Sequence, residues 1–282
     1  MILVTGATGN IGRHVVTTLL ERGQEVRALT RDPMRARLPP AVEVLAGDFD
    51  AIETLVPAME GVDTVLLASY GPATGTRDAN VAHTAAEAGA SRIVKISIAG
   101  VEAGDPDPVT AWHRAGEEAI DRMGIPRTFL RCGELMTTAL WWAETIKATG
   151  KVFVPFADAP SAPIDPIDVA TVAVRCLTDR RPENREALVL TGPEVLTSRA
   201  RVQRLSELLG TTLTCVEVPR EAAFERMVAA GQPPVIANAR LDMIEVKSRG
   251  PGAASSNTVA VVTGRPAQTF DEWAARNVAA FR

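Results

Sequence analysis

Three glycines, Gly6, Gly9 and Gly12, stand between an apolar run and an amphipathic stretch at the start of the chain. Ile2, Leu3 and Val4 have the character of a strand buried on both faces of a parallel sheet. From His14 to Glu21, Val15, Val16, Leu19 and Leu20 recur at helical spacing. Strand, glycine turn and helix, in that order, aim backbone N–H groups and a positive helix end at one point, the geometry that holds a pyrophosphate. Gly6 permits a sharp exit from the strand, Gly9 a close approach of phosphate, and Gly12 a helix lying close on the sheet. Thr8, Asn10 and Ile11 complete the turn as candidate contacts. A second strand at 25–30 arrives at the distance a βαβ unit requires.

The pattern continues in the same rhythm. Apolar strand-like runs at 42–46, 64–68, 92–97 and 127–131 alternate with helical stretches at 51–59, 77–88 and 108–123. Such alternation predicts an α/β fold, a Rossmann-type doubly wound parallel sheet. Beyond Gly133 it loosens into a helix over 135–149, a Pro-rich stretch with Pro155, Pro160, Pro163 and Pro166, and a helix at 168–177. A strand at 187–193, a helix at 198–209, a strand at 213–218, helices over 220–246 and a closing helix at 270–281 complete it. The expected division is a dinucleotide-binding body at 1–133, rejoined by 164–190. A small C-terminal α/β lobe for substrate takes 134–163 and 191–282.

Composition narrows the function classes. A chain of 282 residues that is 46% hydrophobic can bury a full core, and a net charge of −4 supplies no field to gather nucleic acid. Cys132, Cys176 and Cys215 are few and scattered, which suits a reducing compartment and offers no metal site. No apolar run approaches the ~20 residues of a membrane span, and the first strand begins at Met1, so a cytoplasmic protein is expected. Monomer and homodimer both remain open.

The turn Thr5-Gly6-Ala7-Thr8-Gly9-Asn10-Ile11-Gly12 resembles that of the short-chain dehydrogenase/reductase superfamily. Gly47-Asp48, Arg92 to Ser97, Phe129-Leu130-Arg131, Asp165 to Ala170, Leu190-Thr191-Gly192-Pro193 and Thr263-Gly264-Arg265-Pro266 sharpen the resemblance. Together they are similar to the atypical members called NmrA-like or NAD(P)H-binding, with triphenylmethane-reductase and quinone-reductase relatives. The resemblance implies that Asp48 and Phe49 flank an adenine, that Ala68 and Ser69 lie under the adenosine ribose, and that Ser97 lies near the nicotinamide ribose.

The second strand ends Leu29-Thr30-Arg31, without the carboxylate that would accept from a ribose 2′-OH. Arg31, with Arg35 and Arg37 close behind, suits a 2′-phosphate instead, so NADPH is the expected cofactor. Asp32 precedes a proline and reads as the start of a turn. Ordinary superfamily members reduce carbonyls with a Tyr-x-x-x-Lys pair, but Tyr70 is the single tyrosine here and Thr74 follows it four places on. By resemblance, His113 falls at the tyrosine position and Glu117 at the lysine position, so a histidine acid oriented by a carboxylate is one expectation. An i,i+4 surface pair is the other. Tyr70, Trp112, Met136, Trp141, Trp142 and Phe153 could wall an apolar substrate pocket, or could simply pack a core.

The reading these residues favour is an NADPH-dependent reductase acting by hydride transfer on an apolar, aromatic or conjugated small molecule. Two others use the same fold: a non-catalytic NAD(P)-sensing regulator, and a non-redox isomerase or cyclase.

Overall fold

Residues 1–179, 185–250 and 253–282 are described by a computed structural model. Seven strands form one parallel sheet: β1 (Ile2–Thr5), β2 (Val26–Thr30), β3 (Glu43–Ala46), β4 (Thr64–Leu67), β5 (Arg92–Ile98), β6 (Arg127–Cys132) and, later in the chain, β8 (Arg185–Leu190). Their order is β3-β2-β1-β4-β5-β6-β8, so the direction of winding reverses between β1 and β4. Ligands of open α/β sheets bind at that reversal, outside the carboxyl ends of the strands. From β1 the chain winds outward through β2 to β3, crosses back to place β4 on the other side of β1, and then winds outward again through β5 and β6. The expected doubly wound sheet is present.

The apolar residues of each strand serve two cores. Val4, Val15, Val16, Leu19, Val169 and Ala173 fill one face, where the Gly12–Glu21 helix packs on the Pro166–Thr178 helix. Leu3, Leu67, Val81, Ala85, Ile120 and Phe129 fill the other, under the Thr74–Glu87 and Pro108–Met123 helices. These two helices approach closely, and Gly116 is the reason. A Cβ built there would lie 2.1 Å from the Asp78 carboxylate, so only glycine leaves room for an acid between the helices.

A third core, with Met136, Val152, Val154, Leu205, Phe270 and Trp273, lies beyond β6. Around it sits a two-stranded parallel ribbon, β7 (Lys151–Val154) with β9 (Thr214–Glu217). The strand β7, which the sequence reading did not expect, falls between the 135–149 helix and Pro155. Three other details depart from expectation. The 135–149 helix is a 3₁₀ segment (Met136–Trp142) followed by an α-helix (Ala143–Thr149). The 51–59 helix breaks into a 3₁₀ turn and a four-residue helix carrying Pro57. Short helices also form at Gly100–Ala103 and Thr258–Thr263. Of the returning segment 164–190, residues 180–184 lie outside the described residues.

Candidate functional site

At the carboxyl edge of the sheet, β1 ends in a turn that the three glycines shape. Gly6 takes a left-handed φ of +62°, and its carbonyl accepts from the Gly9 N–H at 2.9 Å. A Cβ on Gly12 would lie 2.1 Å from that carbonyl oxygen and 2.9 Å from the Ala7 Cα. The helix therefore begins against the strand exit itself. No side chain caps its first turn, and no acid lies there, so its N–H groups stay available to an anion. Thr8, Gly9 and Asn10 are exposed along the turn, while Ile11 packs onto the core behind it. This cradle, which a single Cβ would fill, fits a pyrophosphate.

A cleft of about 400 Å³ adjoins the turn, lined by Thr8, Thr30, Arg31, Asp32, Arg35 and Ala36. Arg31 is thus beside the glycine turn, at the exit of β2. Asp32 accepts from the Arg35 backbone N–H at 3.3 Å and pairs with the Arg35 guanidinium at 3.2 Å, so it caps the turn at Pro33–Arg35 as its Asp-Pro sequence suggests. Arg37 is exposed and is not part of that lining. Beside β2, the Gly47 N–H donates to the Thr30 carbonyl, and Asp48 turns the chain by accepting from the Asp50 N–H at 3.0 Å. Phe49 packs on the second core, and its carbonyl accepts from Asn80. The switch point itself is tied by Thr5, whose hydroxyl donates to the Leu66 carbonyl and accepts from the Ala68 N–H at 2.8 Å. Glycine turn, Arg31, Asp48 and Ala68 so line one edge.

Next along that edge is a polar cluster that sequence reasoning only half anticipated. Leu67 pairs with Lys95 across β4 and β5, and Ser97 pairs with Arg131 across β5 and β6. Lys95 and Asp78 are both fully buried and form an ion pair; the Lys95 ammonium also donates to the Ser69 hydroxyl at 3.2 Å. Ser97 donates to Glu117 at 2.6 Å, and Arg131 grips the same carboxylate through Nε at 3.1 Å while also pairing with Glu102. Lys95, Asp78 and Arg131 were not singled out from the sequence. A lysine inside the apolar run Ile93-Val94-Lys95-Ile96 was the available signal, since an unpaired ammonium is not left in a sheet core.

His113 and Glu117 do lie one turn apart on the Pro108–Met123 helix, and they are not the surface pair that an i,i+4 spacing also allowed. Both are buried, at 3% and 4% exposure. Glu117 is engaged by Ser97 and Arg131, and the His113 Nδ1 has no hydrogen-bond partner. Burial, with the Lys95 charge nearby, pushes the imidazole down to about 3. Both causes favour the neutral ring, so a histidine acid at this position would work against its surroundings.

The aromatic residues separate. Tyr70 lies edge-on to Trp112 with ring centroids 6.0 Å apart, and 6.1 Å from His113, which makes one aromatic corner beside the polar cluster. Trp141, 55% exposed, lies under Arg240 of the Pro234–Arg249 helix, whose guanidinium carbon is 4.0 Å from the ring centroid. Trp142 faces Arg201 and packs on the third core, where Met136 is buried; Phe153 lies under Arg226. Met136 and Trp142 thus pack in the third core, whereas Trp141, next to Trp142 on the same 3₁₀ segment, points another way. Glu134, despite burial that opposes its charge, is held down to about 2 by Arg201, Lys247 and hydroxyl donors. Among the described residues no cluster could hold a metal ion, and no helix is long and apolar enough to cross a membrane.

Comparison with known proteins agrees with this geometry. The family model described as NAD(P)H-binding matches residues 6–180, more than half of the chain. A (4-alkanoyl-5-oxo-2,5-dihydrofuran-3-yl)methyl phosphate reductase of Streptomyces griseus is 41% identical over 100% of this chain and 99% of its own. An NAD(P)H azoreductase of Xenophilus azovorans is 33% identical, with the same two shares covered. The crystal structure of Citrobacter sp. triphenylmethane reductase complexed with NADP(H) superimposes with a TM-score of 0.84 at 26% identity, covering 98% of this chain and 99% of that one. The protein belongs to the NAD(P)H-binding family and is an NAD(P)H-dependent reductase.

Proposed function

We propose that this reductase prefers NADPH and acts on a conjugated, largely apolar small molecule whose own delocalisation stabilises the added charge. The observation that carries the substrate class is the burial of His113, whose Nδ1 has no hydrogen-bond partner. Burial and the Lys95 charge oppose protonation of the residue that by resemblance takes the tyrosine position, and the neighbouring carboxylate is bound by Ser97 and Arg131. Quinones, enones and conjugated cations need no strong acid from the protein, whereas isolated ketones do. The Streptomyces relative supports the class, since its name describes an unsaturated lactone conjugated to an acyl group.

When bound, NADPH supplies the hydride. The chain's own residues do the rest. The glycine turn and the uncapped helix start hold the pyrophosphate, Arg31 holds the 2′-phosphate, and Asp48 and Phe49 flank the adenine. Ala68 and Ser69, the latter fixed by Lys95, support one ribose, and Ser97 stands by the other. Tyr70, Trp112 and Trp141 stack the acceptor. We assign residues 1–133 and the returning segment 164–190 to cofactor binding, and 134–163 with 191–282 to the substrate side. The protein works in the cytoplasm as a monomer or homodimer without nucleic-acid or membrane partners.

Two measurements test these assignments. NADPH is expected to bind about tenfold more tightly than NADH, a difference of about 1.4 kcal/mol. Arg31→Ala should weaken NADPH by that factor and leave NADH almost unchanged; equal losses would remove Arg31 from the 2′-phosphate site. In a quinone assay, the pH profile of kcat from pH 6 to 8 should have the same shape in the wild type and in His113→Phe. An inflection near 6.5 that the substitution erases would restore the histidine as the acid.

A further inference from the structure

Arg240 is an arginine without an acid. It sits at the rim of the aromatic corner, on the Pro234–Arg249 helix that packs against the helix of His113 and Glu117. Its Nε is buried with no hydrogen-bond partner, and among the described residues no carboxylate stands within ion-pair distance of it. Its neighbours differ: Arg131 has Glu117 and Glu102, Arg201 has Glu134, and Arg220 has Asp242. Glu134 lies within electrostatic reach of Arg240 but is already bound by Arg201 and Thr138.

Burying a guanidinium without a counter-charge is costly, and the Trp141 face returns only ~1–2 kcal/mol. Burial accordingly makes the proton of Arg240 easier to lose, with Tyr70 and Glu134 opposing. Tyr70, whose phenol burial pushes up and Arg240 pulls back, keeps its proton and so offers an O–H donor within electrostatic reach of Arg240. A planar fork of N–H donors, stacked on an indole and beside a phenol, matches an oxyanion.

We propose that Arg240 forms an anion subsite in the acceptor pocket, which takes a carboxylate- or phosphate-type group carried by the substrate while Tyr70, Trp112 and Trp141 hold its conjugated ring. The proposal deepens the reductase reading and rests on it for the place of the ring. Arg240 would then select for acceptors that are apolar at the reacting end and anionic at the other, and would set their orientation.

The test has a binding arm and a kinetic arm. In the first, phenyl phosphate, benzoate and phenol are titrated into protein saturated with NADPH, read by tryptophan fluorescence. At least one anion is expected to bind about tenfold more tightly than phenol, and the better of the two tells phosphate from carboxylate. Arg240→Met should abolish the preference, and Arg240→Lys should keep part of it, which decides the matter should the Met variant fail to fold. In the second arm, the ratio of kcat/KM for 1,4-naphthoquinone-6-carboxylate, whose anion lies on the ring away from the quinone, to that for 1,4-naphthoquinone should fall about tenfold in the variant. No anion preference in the wild type, or equal losses for charged and neutral ligands, would reduce Arg240 to a cover for Trp141. If the anion preference holds in binding but neither quinone is reduced, the subsite stands and the conjugated-acceptor reading falls.

Discussion

Gly12→Ala is expected to weaken NADPH binding at least 100-fold, about 2.7 kcal/mol or more. The added methyl would sit 2.1 Å from the Gly6 carbonyl oxygen and 2.7 Å from its carbon, both backbone atoms that no rotamer change can move. Relief requires the helix start to lift from the exit of β1, and the N–H groups that converge on the pyrophosphate then diverge. The same change at Gly9 meets the Gly6 oxygen at 3.1 Å, a contact that small shifts absorb, so its loss should be smaller. Isothermal titration with NADPH, alongside circular dichroism to follow the fold, separates the two. An alanine at Gly12 that binds within threefold of wild type would mean that the turn does not hold the cofactor.

The largest effect on stability is expected at Lys95. Lys95→Met leaves Asp78 buried between two helices with no cation, a change that costs about 3–5 kcal/mol. The acid cannot turn toward water, because Gly116 and the packed helix behind it close that route. Urea denaturation should show the loss as a lower midpoint, and Lys95→Met combined with Asp78→Asn should recover more than half of it. A single substitution costing under about 1 kcal/mol would imply that water reaches the pair.

Much of the fold was legible because its signals are local. The glycine spacing, the apolar runs of β1 to β6 and the amphipathic 108–123 helix each follow from a short window, and the parallel order follows from their alternation. The Asp32 cap was readable for the same reason. Interactions across long sequence distance were not. Lys95 and Asp78 meet because a strand and a helix cross, and Arg240 finds Trp141 about a hundred residues away through packing that no periodicity encodes. The buried state of His113 illustrates the difference: its spacing to Glu117 was correct, yet the partner of Glu117 turned out to be Arg131 on the neighbouring strand. Strand β7 was hidden by Pro155, which ends the run Val152-Phe153-Val154 as soon as it begins. Trp141 and Trp142 looked equivalent in sequence and are not, since consecutive residues of a 3₁₀ turn face opposite surroundings.

That a conjugated acceptor receives hydride directly, without a charged side-chain acid, is tested most directly by isotope transfer. NADPH carrying deuterium at C4, prepared separately in each of its two stereochemical forms, is supplied with an α,β-unsaturated lactone at pH 7.5. Mass spectrometry and NMR then locate the label. Deuterium from one form alone should appear at the β-carbon, roughly one equivalent per NADPH oxidised, with the α-proton drawn from water and the same labelling pattern in His113→Phe. NADPH that binds tightly and yet delivers no deuterium to the lactone, to a quinone or to a conjugated cation would contradict it.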